Sequence, residues 1–480
     1  MQKKSIKKNL VYNMTYQIFI MILPFITAPY LSRVIGAKGV GTYSYIFSVA
    51  MYFVYFAMLG VLNYGNRQIA KVSENFYKRS KIFSSIYSFQ IIVSLIVFIL
   101  YILYVKFFTF ENKEFSLIMG LYVLSAVFDI SWLYFGLQEF KIISVRQIII
   151  RVISFVAILL FVKKVSDLKI YIFIMSLSYM ISSLTLWLLL TKKIKWIKPS
   201  YSEIFSHFKP CLVLFIPIIA TSLYRVMDKI MLGQICGFSD VGYYENAEKL
   251  ISISLGLISS FGAVMMPKIS NLHSNGKEKE VKKLFDISME IAMCLGIAIF
   301  FGIASVSKEF IPIFFGIEFI PAINLSIALS ITVPFITWAA IIRMLYLIPY
   351  ECDNIYVKSV IFGAIMNICF NIIFIPRFGT MGAVFGTWAA EIGVVLYQTI
   401  LVRKRIELGK NINKIIIFLI IGLIMLFFVR ITARVMPENF VGLIIEILVG
   451  AIVYIGLVII YLLKTNNEIF KKMLLKLKNR

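Results

Sequence analysis

Residues 211–244 read CLVLFIPIIATSLYRVMDKIMLGQICGFSDVGYY, a long apolar run with Arg225, Asp228 and Lys229 inside it. A run of this length and apolarity is a transmembrane helix, yet every formal charge is costly at membrane depth. The charges share one side. At 100° per residue, Thr221, Ser222, Arg225, Asp228 and Lys229 fall within an arc of about 120°. Counted from Cys211 at 1.5 Å per residue, Arg225 lies roughly 20 Å into the helix, too deep for its head group to snorkel to the surface. This polar stripe is therefore expected to face a cavity or a protein partner. A purely structural alternative pairs Asp228 with Arg225 at i,i+3 and leaves Lys229 to reach the interface.

The rest of the chain has the same character. Of its 480 residues, 60% are hydrophobic and only 15% charged, a balance that defines an integral membrane protein and not a soluble one. The net charge of +25 would suggest nucleic-acid binding if it formed a basic face on a soluble domain. No segment has room for such a domain, and no nucleic-acid partner is expected. The five cysteines stand singly, and His207 and His273 have no Cys or carboxylate cluster beside them in sequence, so neither a metal nor a cofactor is expected. The basic and then apolar N-terminus reads as a retained first span, because its apolar part is too long for a signal peptide and no small-x-small cleavage site follows.

About fourteen transmembrane helices are expected, near 11–32, 41–65, 82–107, 115–137, 145–163, 168–191, 211–235, 248–269, 286–306, 319–342, 358–376, 380–402, 413–431 and 441–463. With the N-terminus inside, roughly 35 of the 49 basic residues fall in cytoplasmic loops. Both termini are then cytoplasmic. The basic stretches KKIKWIKPSYSEIFSHFKP and SNGKEKEVKKLFDISME read as helices lying on the inner surface. The outer loops are too short for a catalytic domain, and no P-loop, HExxH, GxSxG or GxGxxG context is present.

VGYY at Val241–Tyr244 repeats an earlier phrase, VGTY at Val40–Tyr43, and the helix preceding each carries a proline, Pro24 or Pro217. The offset equals six spans, as a duplicated six-helix unit would give, and an even number of spans makes the two copies parallel repeats enclosing a central cavity. The expected organisation is an N-terminal six-helix lobe at 1–205, a second at 206–405, and helices thirteen and fourteen with a basic tail at 406–480. Further polar positions within spans are Asn13, Tyr16 and Gln17 on one face of the first helix, Asp129 in the fourth and Glu391 in the twelfth. Because an acid exchanging protons or sodium would need such a place, Asp129, Asp228 and Glu391 are the ion-coupling candidates.

Several phrases form a recognisable series: PYLSRVIGAKGVGTYSY, GVLNYGNRQIA, FDISWLYFGLQEFK, LYRVMDKIMLGQICGFSDVGYYENAEKL and MMPKISNL. In this order they resemble the Wzx-type oligosaccharide flippases, the polysaccharide transporter branch of the multidrug, oligosaccharidyl-lipid and polysaccharide exporter superfamily. The resemblance implies two six-helix lobes rocking around a cationic cavity. It also implies a substrate of undecaprenyl-diphosphate-linked glycan units moved across the bilayer for surface polysaccharide such as O-antigen, with a polymerase and chain-length machinery as partners. Protons, sodium and the membrane potential all stay open as the driving force, since a coupling acid and a structural acid look alike in sequence. On this chain the cationic lumen falls on Arg225 and Lys229, with Arg33 and Arg67 flanking the first hairpin and Asn13, Gln17, Thr221, Ser222 and Asp228 as further contacts. The related lipid II flippases place arginines in the first helix where this chain has Asn13, Tyr16 and Gln17, which counts against a lipid II substrate. The competing readings are a cation-coupled drug exporter of the same fold and, from another class, a membrane polysaccharide polymerase.

Overall fold

In the computed structural model, most of the described residues are helical, with no strand among them. The structure describes residues 23–109, 111–403, 406 and 414–464, with the helical course of 2–22 and 409–413 and without the side chains at 192, 224, 253, 254 and 263. Twelve segments among them are long and apolar enough to cross a membrane. The first, Leu23–Lys71, has 49 residues, about 73 Å of helix against a hydrocarbon core of about 30 Å, so it supplies two crossings. The helix Lys113–Phe128, with 16 residues, is the other short member, and the whole is compatible with the fourteen spans expected.

Two compact units divide the chain, Met1–Glu245 and Asn246–Arg480. In the first, α1 (Gln2–Met58) breaks at Gly36, whose φ of 69° lies in the left-handed region open to glycine. After Gly60, with φ 78°, α2 (Val61–Lys71) turns away, and α3 (Phe76–Phe108) begins at Asn75, whose side chain accepts a bond from the Lys78 N–H. The expected span 115–137 is not continuous. It divides into α4 (Lys113–Phe128) and α5 (Ser131–Gly136), and a break in a membrane must satisfy the backbone groups it frees. Buried Gln90 does so: its Nε2 donates to the carbonyls of Ala126 (2.8 Å) and Asp129 (2.9 Å) while its Oε1 accepts from the Trp132 indole N–H (2.9 Å). The unit continues through α6 (Phe140–Phe161), α7 (Leu168–Leu184), the short α8 (Tyr201–Phe205) and α9 (Phe208–Ile235). Trp187, just beyond α7, donates to the Phe128 carbonyl at 2.9 Å and closes the same break.

The start of α10 (Phe238–Ser274) is pressed onto α1 just past its break. A Cβ on Gly41 would lie 1.6 Å from the Phe238 carbonyl oxygen, and one on Gly242 would lie 2.1 Å from that of Ala37. The two copies of the repeated phrase therefore meet each other, glycine against backbone.

In the second unit, α11 (Glu278–Phe315) is the central element, packed on α12 (Ala322–Ser330), α13 (Thr332–Ile342), α16 (Gly409–Val435) and α17 (Phe440–Lys464). Met289, Ile297, Phe301, Ile341 and Phe418 belong to its core. The helices α14 (Asp353–Phe378) and α15 (Thr380–Val402) form a hairpin through Gly379, φ 57°. The SNGKEKEVKKLFDISME stretch is not a separate surface helix: from Glu278 it is the first part of α11. His273 and Tyr350 both bond Glu278, at 2.7 and 2.5 Å. Burial and the neighbouring Glu278 carboxylate hold the Tyr350 hydroxyl well above the ordinary phenol range. All five cysteines are free.

Two substitutions test this account. Gly41→Ala forces a Cβ into a carbonyl oxygen and is expected to lower unfolding stability in detergent by about 2–3 kcal/mol. Gln90→Leu keeps the volume but strands two carbonyls and an indole N–H, with an expected loss on the order of 3 kcal/mol or more. Melting that matches the parent would contradict the close approach or the clamp.

Candidate functional site

The polar side of α9 is laid along α1. Interior Pro217 is followed by Thr221, whose hydroxyl donates to the Pro217 carbonyl at 2.8 Å, and Ser222, whose hydroxyl donates to that of Ile219 at 2.8 Å. Both hydroxyl protons are thus spent on their own helix. The Ser222 carbonyl accepts from the Tyr52 hydroxyl of α1 at 3.2 Å. Arg225 is exposed, with Tyr55 of α1 in its field. Asp228, only 3% exposed, accepts at Oδ2 from the Tyr244 hydroxyl at 2.8 Å.

Lys229 Nζ stands 2.7 Å from Glu245 Oε2, and the same oxygen accepts from the Ser44 hydroxyl at 2.7 Å. Only Cys236 and Gly237 separate α9 from α10, and Gly237, φ 112°, makes the reversal. Lys229 lies six residues before the end of α9 and Glu245 seven after the start of α10, so both sit roughly 10 Å from the hairpin. The stripe of two cations and one anion expected from sequence becomes, with Glu245, two of each. Glu245, Ser44, Tyr52 and Tyr244 were not among the expected site residues. Equal distance from the α9–α10 turn and the extended repeat VGTYS/VGYYE, which sets Ser44 against Glu245, are the sequence signals that point to them.

The remaining expected residues are scattered. Asn13 and Gln17 lie outside the described residues. Arg33 and Arg67 are exposed, the first ahead of the Gly36 break and the second in α2. The 22 helical residues from 37 to 58 between them span about 33 Å, so they occupy opposite ends of the unit and not one site. Asp129 is not within a helix but at the α4–α5 break, its Oδ1 accepting from the Ser131 N–H at 2.9 Å. Glu391, 8% exposed on α15, belongs to the second unit. Among the described residues, no three His, Cys, Asp or Glu side chains group as metal ligands would.

A helical chain with twelve crossing-competent segments among its described residues, and with charges paired between two of its helices, has the build of a multi-pass membrane transporter. Solved structures share this fold. The chain is similar to the lipid II flippase MurJ in an inward closed conformation (TM-score 0.77, 18% identity, 96% of this chain and 99% of that one). It is also similar to an inward-facing multidrug resistance MATE family transporter of the MOP superfamily (TM-score 0.57, 13% identity, 82% of this chain and 99% of that one). Residues 6–273 match the polysaccharide biosynthesis protein family, more than half of the chain, and the chain belongs to that family. A Shigella dysenteriae relative named "Putative O-antigen transporter" is 23% identical over 408 residues, covering 83% of this chain and 99% of its own length.

The ion pair is tested by a double-mutant cycle. Lys229 and Glu245 side chains are 16% and 17% exposed, and removing one partner takes the nearby opposite charge from the other. Lys229→Met and Glu245→Gln are each expected to cost on the order of 2–4 kcal/mol, with the double variant falling short of their sum by about 2 kcal/mol. Strict additivity in thermal melting would mean the two do not interact.

Proposed function

We propose that this transporter is a flippase that carries undecaprenyl-diphosphate-linked oligosaccharide units from the cytoplasmic to the outer leaflet of the cytoplasmic membrane by alternating access. The units would supply surface polysaccharide synthesis, with a downstream polymerase as consumer. The observation that carries this reading is the Lys229–Glu245 pair beside exposed Arg225. A lysine held at membrane depth needs a counter-charge at all times. Glu245 serves while the site is empty, and a diphosphate oxygen replaces it when substrate arrives, so the cation is never left bare. Arg225 then adds a guanidinium, whose fork matches phosphate oxygens. On an adjacent side of α1 lies an aromatic group: Tyr43 is 4.6 Å from Tyr171, Phe47 is 5.1 Å from Tyr122, and Tyr122 is 4.4 Å from Tyr179 between ring centroids. Aromatic faces carrying hydroxyls combine stacking area with hydrogen bonding, the chemistry a sugar ring requires.

Family membership and a relative named for O-antigen transport support the same substrate class. In this reading both termini are cytoplasmic, lobes of residues 1–205 and 206–405 move against each other, and protons, sodium or the membrane potential drive the cycle. Asp228 and Glu391 are the buried acids proposed for coupling; Asp129, proposed on the same ground, is the one that also caps a helix break.

The test is export by cells that depend on this protein. A charge-assisted contact is worth about 1.5–3 kcal/mol. Arg225→Ala with Lys229→Ala is therefore expected to lower export at limiting substrate by on the order of a hundredfold, with the protein still inserted. Full surface polysaccharide from that variant would remove these residues from the mechanism. An altered drug susceptibility of the deletion strain with unchanged polysaccharide would favour a drug exporter instead.

A further inference from the structure

The second unit holds a group of charges that none of the expected site residues includes. Glu309 lies six residues before the end of α11, Arg430 five before the end of α16, and Glu446 six after the start of α17. At 1.5 Å per residue each is roughly 8–9 Å inside its helix end, so the three share one level. The buried positions of α17 include Leu443, Glu446, Gly450 and Tyr454, a helical stripe. Gly450 of that stripe lies against Val429 and Met425 of α16, so Glu446 faces protein and not lipid.

Arg430 Nη1 donates to Glu309 Oε2 at 2.8 Å and to the Ser305 carbonyl at 2.9 Å. Glu446 is 2% exposed, and its Oε2 is buried with no hydrogen-bond partner among the described residues. α17 packs on α11 and α16, and from those helices the charged groups acting on Glu446 are Glu309 and Arg430. Two carboxyls thus share one guanidinium, and that guanidinium is bonded to Glu309. A second buried carboxylate would stand uncompensated, at a cost of several kcal/mol. A metal ion would require several oxygen ligands, and the described residues contain no group of three acidic, His or Cys side chains. A proton requires one oxygen.

We propose that Glu446 is a proton-binding site built by α11, α16 and α17: its carboxyl is neutral while Arg430 is held by Glu309, and it releases the proton when Arg430 turns to it. The Arg430 side chain is 32% exposed, which leaves it room to change partner. Release sends the proton to water and gives a carboxylate paired with the guanidinium, while the Glu309 carboxylate meets water at the helix end; the three groups pass from net zero to a single net negative charge, and the released proton carries the difference. If transport is proton-driven, this is a loading position separate from the α9 stripe.

The experiment uses full-length protein in lipid nanodiscs and infrared difference spectra recorded between about pH 5 and about pH 9, a range that covers buried carboxyls. A band from a protonated carboxyl should vanish as pH rises and be absent from Glu446→Gln. In Glu309→Gln, Arg430 is freed for Glu446, and the band should vanish at a pH lower by about one unit, a tenfold weaker hold on the proton. A titrating band unchanged by Glu446→Gln overturns the proposal. A Glu309→Gln midpoint equal to that of the parent does the same, even where Glu446→Gln fails to fold. Because no transport is measured, failure here leaves the flippase reading untouched, and loss of export in the α9 variants leaves this one untouched.

Discussion

The contact on which the first unit turns is the approach of two backbones at Gly41 and Gly242. A Cβ on either would come within 1.6 or 2.1 Å of a carbonyl oxygen across the contact, so nothing larger than hydrogen fits. Apolar side chains gain nothing by meeting in hydrocarbon, and close backbone packing through small residues is what draws membrane helices together. Once α10 is seated here, the α9–α10 reversal brings Glu245 to Lys229 and Tyr244 to Asp228. The charged stripe of α9 acquires its partners from the helix that follows it and from Ser44, Tyr52 and Tyr55 of α1.

Several polar groups that cannot reach water are answered by protein. Gln90 and Trp187 answer the carbonyls freed between α4 and α5, Thr221 and Ser222 answer their own helix, and Arg430 answers Glu309. The cost of an unanswered charge decides the chemistry at both sites. On the readings proposed above, in the α9 stripe it calls for a counter-ion that a diphosphate can replace, and at Glu446 it calls for a proton.

Much of this was legible in the sequence. Long apolar runs gave the crossings because hydrocarbon thickness leaves few alternatives, and the 100° periodicity gathered Thr221 to Lys229 on one side of α9. Breaks inside membrane segments were not legible: 115–137 carries no formal charge except Asp129, and the side chain that satisfies the break is Gln90, distant in the chain. Charge partners across a hairpin were harder to read, because Glu245 lies beyond the apolar run that holds Lys229 and only the turn spacing and the repeat link them. Arg33 and Arg67 show how far neighbours in the sequence pattern can stand apart. Both flank the first hairpin in sequence, yet a helix of about 33 Å stands between them.

The repeat carries one more consequence. Ser44 and Glu245 are equivalent positions in VGTYS and VGYYE, and they touch each other. Where related segments meet across a local two-fold, each residue near the axis confronts its own counterpart. A glutamate in both copies would set two carboxylates face to face in a medium that does not screen them. The contact therefore admits an acid on one side only and obliges its twin to be a neutral donor. The chain's near-symmetry is broken at this point by electrostatics, and the broken position is the one that holds Lys229.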